Sequence, residues 1–324
     1  MAMSYKQVIE EINKSKRFIV VSHVSPEPDA VGSLLGLSLA LKGMGKEVVP
    51  YLEDPLPDLC NFMPGNEIIV HSLKGEKPVD CTIAVDCGQL NRLGDGLVEF
   101  EGKGTIINID HHATNNNFGE INIIDPKASA AGEMVYDLLK EAGAKITKEI
   151  ATNLYVAIHT DTGSFRYDSA TPGAFKRAGE LVELGASPWE ASRYLYEEYP
   201  KERFEMLSRV LSTLKLYEGG KVASLCVTLK MLKEVGATKD IVDGFVNFAR
   251  SIKGVEVGVL VRENAPGEQK VSMRSKGKVN ISSLAQVFGG GGHANAAGFT
   301  IKGEVEPTVI KVVDAVKDIL KKQG

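Results

Sequence analysis

The stretch Ile106-Ile107-Asn108-Ile109-Asp110-His111-His112 constrains this chain most, because an apolar β-branched run stops at a carboxylate and two adjacent imidazoles. A run of that kind reads as a strand buried on both faces of a parallel sheet, and open sheets of that type bind ligands beyond the carboxyl ends of their strands. The tripeptide at the end is compatible with a metal or phosphate centre. By itself it is equally compatible with a polar loop whose histidines are hydrogen-bonded and nothing more. Other runs share the form: residues 17–23 end in Ser22-His23, and residues 81–86 end in Asp86. Between them lie a leucine-rich helical pattern over residues 30–43 and a further strand over 47–52. This strand–helix alternation predicts an α/β domain with a mostly parallel sheet and helices on both faces.

From about Ser129 the pattern turns helical, with 3.6-residue periodicity over 130–142, 148–159, 172–184 and 188–196 and a longer helix over 200–217. After Gly219-Gly220 the pattern predicts strands at 222–229, 255–262 and 270–275, with helices near 239–251 and 307–321. At 324 residues the chain exceeds the usual size of a single core. The expected organisation is a first domain over 1–199, a helical linker over 200–220 and a smaller α/β domain over 221–324.

Charge divides along the same boundary. Residues 1–220 hold 22 Lys and Arg against 32 Asp and Glu, a balance of −10, while residues 221–324 hold 16 against 10, a balance of +6. An acidic first part suits cations and a basic second part suits an anionic substrate, although chance surface composition gives the same numbers. The net charge of −4 is not that of a protein that tracks long nucleic acid, so a nucleic-acid substrate should be short. A hydrophobic share of 43% with 25% charged residues is that of a soluble globular chain, with no membrane-spanning run and no signal-peptide pattern. Cys60, Cys81, Cys87 and Cys226 lack zinc-type spacing and read as buried thiols, so the expected compartment is the cytoplasm.

Four further constellations stand beside Asp110-His111-His112. His23-x3-Glu27-x-Asp29 can converge an imidazole and two carboxylates on one point, or it can be a proline-rich turn with Asp29 as a helix N-cap. Asp86, followed by Arg92, can bridge two cations with the arginine on a phosphate, or it can be a capping acid beside a surface arginine. Asp161 ends an apolar helix, where an acid opposes the helix dipole unless a cation sits nearby. His159 reads as a core histidine or one that orients a ligand. Finally, Gly289-Gly290-Gly291-Gly292-His293 is a costly choice unless backbone must approach a ligand closely or take positive φ; a flexible hinge is the bland alternative.

Taken in order, these five motifs resemble the DHH phosphoesterases that carry a DHHA1 C-terminal domain, and the resemblance spans nearly the whole chain; it implies that 1–199 is the catalytic metal-binding domain and 221–324 the substrate-binding domain, with a cleft between them. The branch it points to is the stand-alone NrnA type, which degrades nanoRNA and dephosphorylates 3′-phosphoadenosine 5′-phosphate (pAp). The resemblance implies two divalent cations, usually Mn²⁺: one on His23, Glu27 and Asp86, the other on Asp29, Asp86, His111 and Asp161, with Asp86 shared. It implies that His112 contacts the phosphate or manages a proton, and that Arg92, Arg274, Gly290, Gly291, Gly292 and His293 contact substrate. Asp110 is then expected to orient a histidine rather than to ligate. Glu27 departs from the family, which more often has Asp there.

The implied function is metal-dependent hydrolysis of short oligoribonucleotides to mononucleotides, with exonuclease character, and removal of the 3′-phosphate of pAp. An alternative within the class is a phosphodiesterase for cyclic dinucleotides or linear pApA and pGpG. A non-catalytic nucleotide-binding regulator is the alternative outside it. The glycine–histidine loop argues against a family II pyrophosphatase, and the absence of extra length or a basic tract argues against a RecJ-type exonuclease. No membrane or long duplex partner is expected, and a homodimeric state is left open.

Overall fold

The structure is a computed structural model that describes residues 5–322, and the chain divides into two compact units, Met1–Glu198 and Tyr199–Gly324. In the first, α1 (Lys6–Lys14) precedes β1 (Arg17–Val21), and α2 (Pro28–Gly43) connects β1 to β2 (Glu47–Tyr51). Then come β3 (Cys81–Val85), the short α3 (Asp95–Glu99), β4 (Thr105–Asp110) and β5 (Ile121–Ile124). These strands form one parallel sheet in the order β2-β1-β3-β4-β5. The helices α4 (Ala131–Glu141), α5 (Lys148–Asp161), α6 (Pro172–Glu183) and α7 (Pro188–Tyr196) follow.

A parallel sheet must be covered on both faces, and β1 shows the alternation this requires. Phe18 and Val20 join a core shared with α1, α2, α4 and α5, while Ile19 and Val21 join a second cluster with Leu73, Val79, Leu93 and Leu97. The second face is therefore covered by α3 and connecting segments rather than by long helices. On the first face the helices approach to backbone distance. A Cβ on Gly32 would lie 2.4 Å from the Asn153 carbonyl oxygen, and one on Gly132 would lie 2.5 Å from Ala157 Cβ, so only glycine fits at either position. This contact brings the start of α2 beside the end of α5.

The strand order reverses direction at β1 and β3, and the crevice at such a switch point is where doubly wound sheets bind ligands. His23 follows β1 and Asp86 follows β3 directly.

The second unit begins with α8 (Lys201–Leu211), followed by β6 (Lys215–Tyr217), β7 (Val222–Val227), α9 (Leu229–Val235) and α10 (Val246–Ser251). It continues through β8 (Val257–Ala265), β9 (Glu268–Ser275), α11 (Ile281–Val287), β10 (Gly291–His293), β11 (Ala296–Lys302) and α12 (Val305–Lys322). Its sheet runs β10-β11-β9-β8-β7-β6, with only β7 and β8 parallel.

Several expectations differ from what forms. The helix expected over 200–217 stops at Leu211, and residues 215–217 pair with β7 instead. Thr213 sustains the change by accepting the Cys226 amide at 2.9 Å. Within the segment 200–220, Met206 and Val210 are wholly buried with Ala223, Leu225 and Val227. The strand expected over 222–229 ends at Val227 because the Thr228 side chain caps α9, accepting from the Met231 amide. The helix expected near 239–251 breaks at Gly244, whose φ of 82° is left-handed. No helix of the described residues is long and apolar enough to cross a membrane.

Candidate metal centre

The sheet and two helix ends deliver the candidate residues to one place. His23 lies just past β1, Asp86 directly past β3, and Asp110 closes β4 with His111 and His112 behind it. Asp29 stands in the first turn of α2, and Asp161 is the last residue of α5. Asp29 is not the N-cap of its own helix, a position Glu27 takes without a side-chain bond. Its carboxylate instead accepts the amides of Ala131 at 2.8 Å and Gly132 at 3.0 Å, at the start of α4. Asp86 has φ of 54°, a left-handed conformation that costs about 1–2 kcal/mol for an L-residue. Strain of this kind gathers at functional sites.

The imidazoles and carboxylates stand at ligand spacing. His23 Nε2 is 3.6 Å from Glu27 Oε1 and 3.7 Å from Asp86 Oδ2. His111 Nε2 is 3.4 Å from Asp86 Oδ1 and 3.7 Å from both Asp29 Oδ2 and Asp161 Oδ2. Donors that share a cation at about 2.1 Å lie about 3–3.5 Å apart, so these separations suit a shared ion better than direct hydrogen bonds. Three groups have donor atoms within 4.8 Å of one another: His23, Glu27 and Asp86; Asp29, His111 and Asp161; and Asp86, His111 and His112. Asp86 turns one oxygen toward each histidine. Both its oxygens and His23 Nε2 are buried with no hydrogen-bond partner among the described residues. Buried lone pairs without a hydrogen-bond donor, aimed at common points, fit divalent cations.

Each histidine is oriented by its other nitrogen. His23 Nδ1 lies 2.8 Å from the Val24 carbonyl and His111 Nδ1 lies 3.2 Å from the Ala128 carbonyl, which turns both Nε2 atoms into the site. His112 Nδ1 lies 2.7 Å from Asp110 Oδ1. Ser33 Oγ donates to Asp29 at 2.9 Å.

Crowding shows in the titration of the group. Burial opposes ionisation of Asp86, but His111 and His23 outweigh it and hold the carboxyl well below the usual range. Burial, reinforced by Asp86, pushes Asp29 up to about 7 against the pull of His111 and the α4 amides. Burial also raises Asp161 well above the ordinary value, with His111 opposing and the other acids adding. For His23, burial pulls down while Asp86 and Glu27 raise it to about 10. His111 and His112 are raised against burial, chiefly by Asp86 and by Asp110 respectively. A cluster that holds protons this firmly can exchange them for cations.

The other expected residues fall in two places. Arg92 is exposed and sets Nη2 3.3 Å from both His23 Nδ1 and the Val24 carbonyl. Arg274, in β9, belongs to the second unit, where pairing aligns it with Ala296 of β11 and Ala296 with His293 of β10. The glycines there have different reasons. A Cβ on Gly290 would meet the Gly298 carbonyl oxygen, and one on Gly292 would meet that of Ala296, whereas one on Gly291 meets nothing within 4 Å. His159 is outside the cluster; it stacks on Tyr155 at 5.5 Å and meets Phe165 and Tyr196, and burial lowers it to about 4.

Sequence reasoning missed the residues behind Asp110. Asn115 Nδ2 donates to Asp110 Oδ2 at 2.6 Å and to Asn108 Oδ1 at 2.7 Å. The signal was present, since Asn108 interrupts an otherwise apolar buried strand and buried amides need partners.

Comparison with known proteins decides the family. Residues 17–158 match the DHH family N-terminal domain, and residues 219–322 match the DHHA1 domain. A "bifunctional oligoribonuclease and PAP phosphatase NrnA" of Thermus thermophilus is 37% identical over 306 residues, covering 94% of this chain and 90% of the relative. The chain belongs to the DHH/DHHA1 phosphoesterase family. A Bacillus subtilis relative of the same description is 29% identical over 299 residues, covering 91% of this chain and 92% of its own. Among solved structures, an "exopolyphosphatase-related protein" of Bacteroides fragilis has 30% identity and a TM-score of 0.91, covering 98% of this chain and 96% of its own. As a DHH/DHHA1 phosphoesterase the chain is a hydrolase of phosphoester bonds.

Proposed function

We propose that this DHH/DHHA1 phosphoesterase hydrolyses short oligoribonucleotides to mononucleotides and removes the 3′-phosphate of pAp. The observation that carries the reading is the buried Asp86, its two orphaned oxygens turned toward separate histidine–carboxylate groups at the switch point of the sheet. The relative of 37% identity, named for these two activities, supports the choice of substrates.

In this reading His23, Glu27 and Asp86 hold one divalent cation, and Asp29, Asp86, His111 and Asp161 hold a second. Mixed imidazole and carboxylate donors suit Mn²⁺. Bound cations would polarise the phosphoryl oxygens and acidify the attacking water. The chain's own groups do the rest. His112 is held by Asp110 through Nδ1, so any proton it exchanges with substrate passes through Nε2. Arg92 offers a cationic contact beside His23, and Arg274, Gly290, Gly291, Gly292 and His293 are the second unit's substrate contacts. Four free cysteines, three of them buried, support a cytoplasmic location.

A substrate panel with Mn²⁺ tests the reading. RNA of two to about ten nucleotides labelled at either end, pAp, pApA, cyclic dinucleotides, polyphosphate and pyrophosphate would be compared by kcat/KM. Preference for the shortest RNAs and pAp is expected; cleavage of pyrophosphate or polyphosphate alone would overturn it.

A further inference from the structure

Asp110 is the acid of the cluster that neither proposed cation uses, and its side chain is wholly buried. A carboxylate at that depth needs donors, and its two oxygens are claimed by different partners. His112 Nδ1 takes Oδ1 at 2.7 Å and Asn115 Nδ2 takes Oδ2 at 2.6 Å. Asn115 has little freedom to do otherwise. Its Oδ1 accepts the Asn117 amide at 2.7 Å, which fixes the NH₂ end toward Asp110. That NH₂ also meets Asn108 Oδ1 at 2.7 Å, and Asn108 Nδ2 donates to the Cys87 carbonyl at 3.0 Å. A polar chain thus runs from the loop after β3, through Asn108 and Asn115, to Asp110 and His112.

We propose that Asn115 is a positioning residue for the reaction: backed by Asn108, it holds Asp110 in the rotation that commits His112 Nδ1 and aims Nε2 at the leaving oxygen of the scissile phosphoester. The inference rests on the reading that His112 protonates the leaving group. In that step the water oxygen forms a new bond to phosphorus as the bond to the ribose oxygen breaks. The departing oxygen keeps the electron pair and takes the Nε2 proton, and the proton lost by water passes to solvent. Without the Asn115 donor, Oδ2 would be left without its side-chain partner and the carboxylate would turn toward another, releasing the imidazole. Asn115 stands behind Asp110 and belongs to none of the three donor groups.

The test compares two leaving groups at saturating Mn²⁺. An RNA dinucleotide expels an alkoxide that must be protonated, whereas a p-nitrophenyl ester of thymidine 5′-monophosphate expels an anion that need not be. Asn115→Ala should lower kcat on the dinucleotide about 10- to 100-fold, the usual scale for losing a residue that orients a working histidine, with KM changed less than about threefold. The nitrophenyl ester should lose no more than about threefold, and adding Asn115→Ala to His112→Ala should cost nothing further on either. Asn115→Ser, which keeps a donor and serves if the alanine variant folds poorly, should show the same selectivity at smaller amplitude. In the metal-free protein, the downfield Nδ1–H resonance of His112 should be present in the parent and lost in Asn115→Ala. Equal losses on both esters, a loss confined to KM, or an unchanged resonance would each overturn the role of Asn115. If His112→Ala slowed both esters equally, the reading of His112 itself would fail, and that outcome is distinct from a selective His112 effect with an unselective Asn115 effect.

Discussion

Glu27 and Asp29 stand two residues apart on one turn, yet the Glu27 side chain is 57% exposed and that of Asp29 is 2% exposed. Asp29 is gripped by two helix-terminal amides and the Ser33 hydroxyl, and it faces an imidazole fixed on the Ala128 carbonyl. Glu27 meets His23 from a proline-flanked turn that Val24 and Ser25 tie to Arg92 and Asp54. The proposed centre therefore joins a half whose Asp29 is built into the core to a half whose Glu27 stands at the surface. The contrast marks where this chain can tolerate change: on the surface half, the extra methylene of Glu27 relative to an aspartate can be absorbed by a turn. The core half has no such slack, because Gly32 and Gly132 already sit at backbone contact.

The largest effect should come from Asp86, which both halves share. Asp86→Asn keeps a residue that tolerates φ of 54° but removes the charge, and kcat/KM on an RNA dinucleotide should fall by at least about 10⁴, roughly 5.5 kcal/mol. An unchanged circular dichroism spectrum would show that the fold survives. Activity within tenfold of the parent would remove the shared ligand and the comparison with it. Next come the two halves themselves. Asp29→Ala strands buried donors and removes a proposed ligand, so about a 10³-fold loss with a lowered melting temperature is expected. Glu27→Ala should cost about 10- to 100-fold and leave the melting temperature unchanged, and Glu27→Asp should stay within about fivefold. Mn²⁺ titration followed by electron paramagnetic resonance should show the Glu27 variants weakening one class of site and sparing the other. If Glu27→Ala matched Asp29→Ala in both readouts, the two halves would be equivalent.

Most of what positions this candidate centre could be read from the chain. Runs such as 81–86 announce parallel strands because only buried strands are apolar at every position, and an acid at the end of such a run has nowhere to be but the ligand-binding edge. Asp161 was legible for a similar reason, as an acid against its own helix dipole. Asp29 was legible as a candidate but not in its setting. Its partners at Ala131 and Gly132 lie about a hundred residues away, and backbone amides carry no side-chain signature. Asn115 was missed because a lone asparagine in a loop looks like turn chemistry until Asp110 is placed beside it. In the second unit, β6 and β10 escaped because a three-residue strand shows no period, and β11 because it opens on the small side chains of Ala296, Ala297 and Gly298.

Protons offer a finer way to sharpen the contrast. The core half carries Asp29, raised to about 7 by burial, and the surface half carries His23, raised to about 10 by Asp86 and Glu27. A cation must displace these protons, so apparent Mn²⁺ affinity should rise with pH from 6 to 9 and binding should release protons. Calorimetry in buffers of different ionisation enthalpy would count them. Release should shrink at pH 7 in Glu27→Ala, where His23 has lost one of the two carboxylates that raise it. Affinity independent of pH would mean that these groups do not ligate.

The smallest effect belongs to a histidine that sequence proximity would place in the centre. His159 precedes Asp161 by two residues, but its ring lies among Tyr155, Phe165 and Tyr196 rather than among carboxylates. Burial, with Arg166 adding, lowers it to about 4, where the carboxylates raise His23 and His111. Because the folded value lies below that of the unfolded chain, the unfolded chain takes up the proton first. The stabilising contribution is intact above about pH 6.5 and is lost as pH falls toward 4, by at most about 3 kcal/mol. His159→Phe removes the titrating group while keeping an aromatic ring in the cluster. Thermal unfolding of the metal-free protein should then decline less steeply between pH 6.5 and 4, by several degrees at the acid end. Parallel pH profiles for parent and variant would show that His159 is not held neutral, and that carboxylates are not what separates His23 and His111 from this histidine.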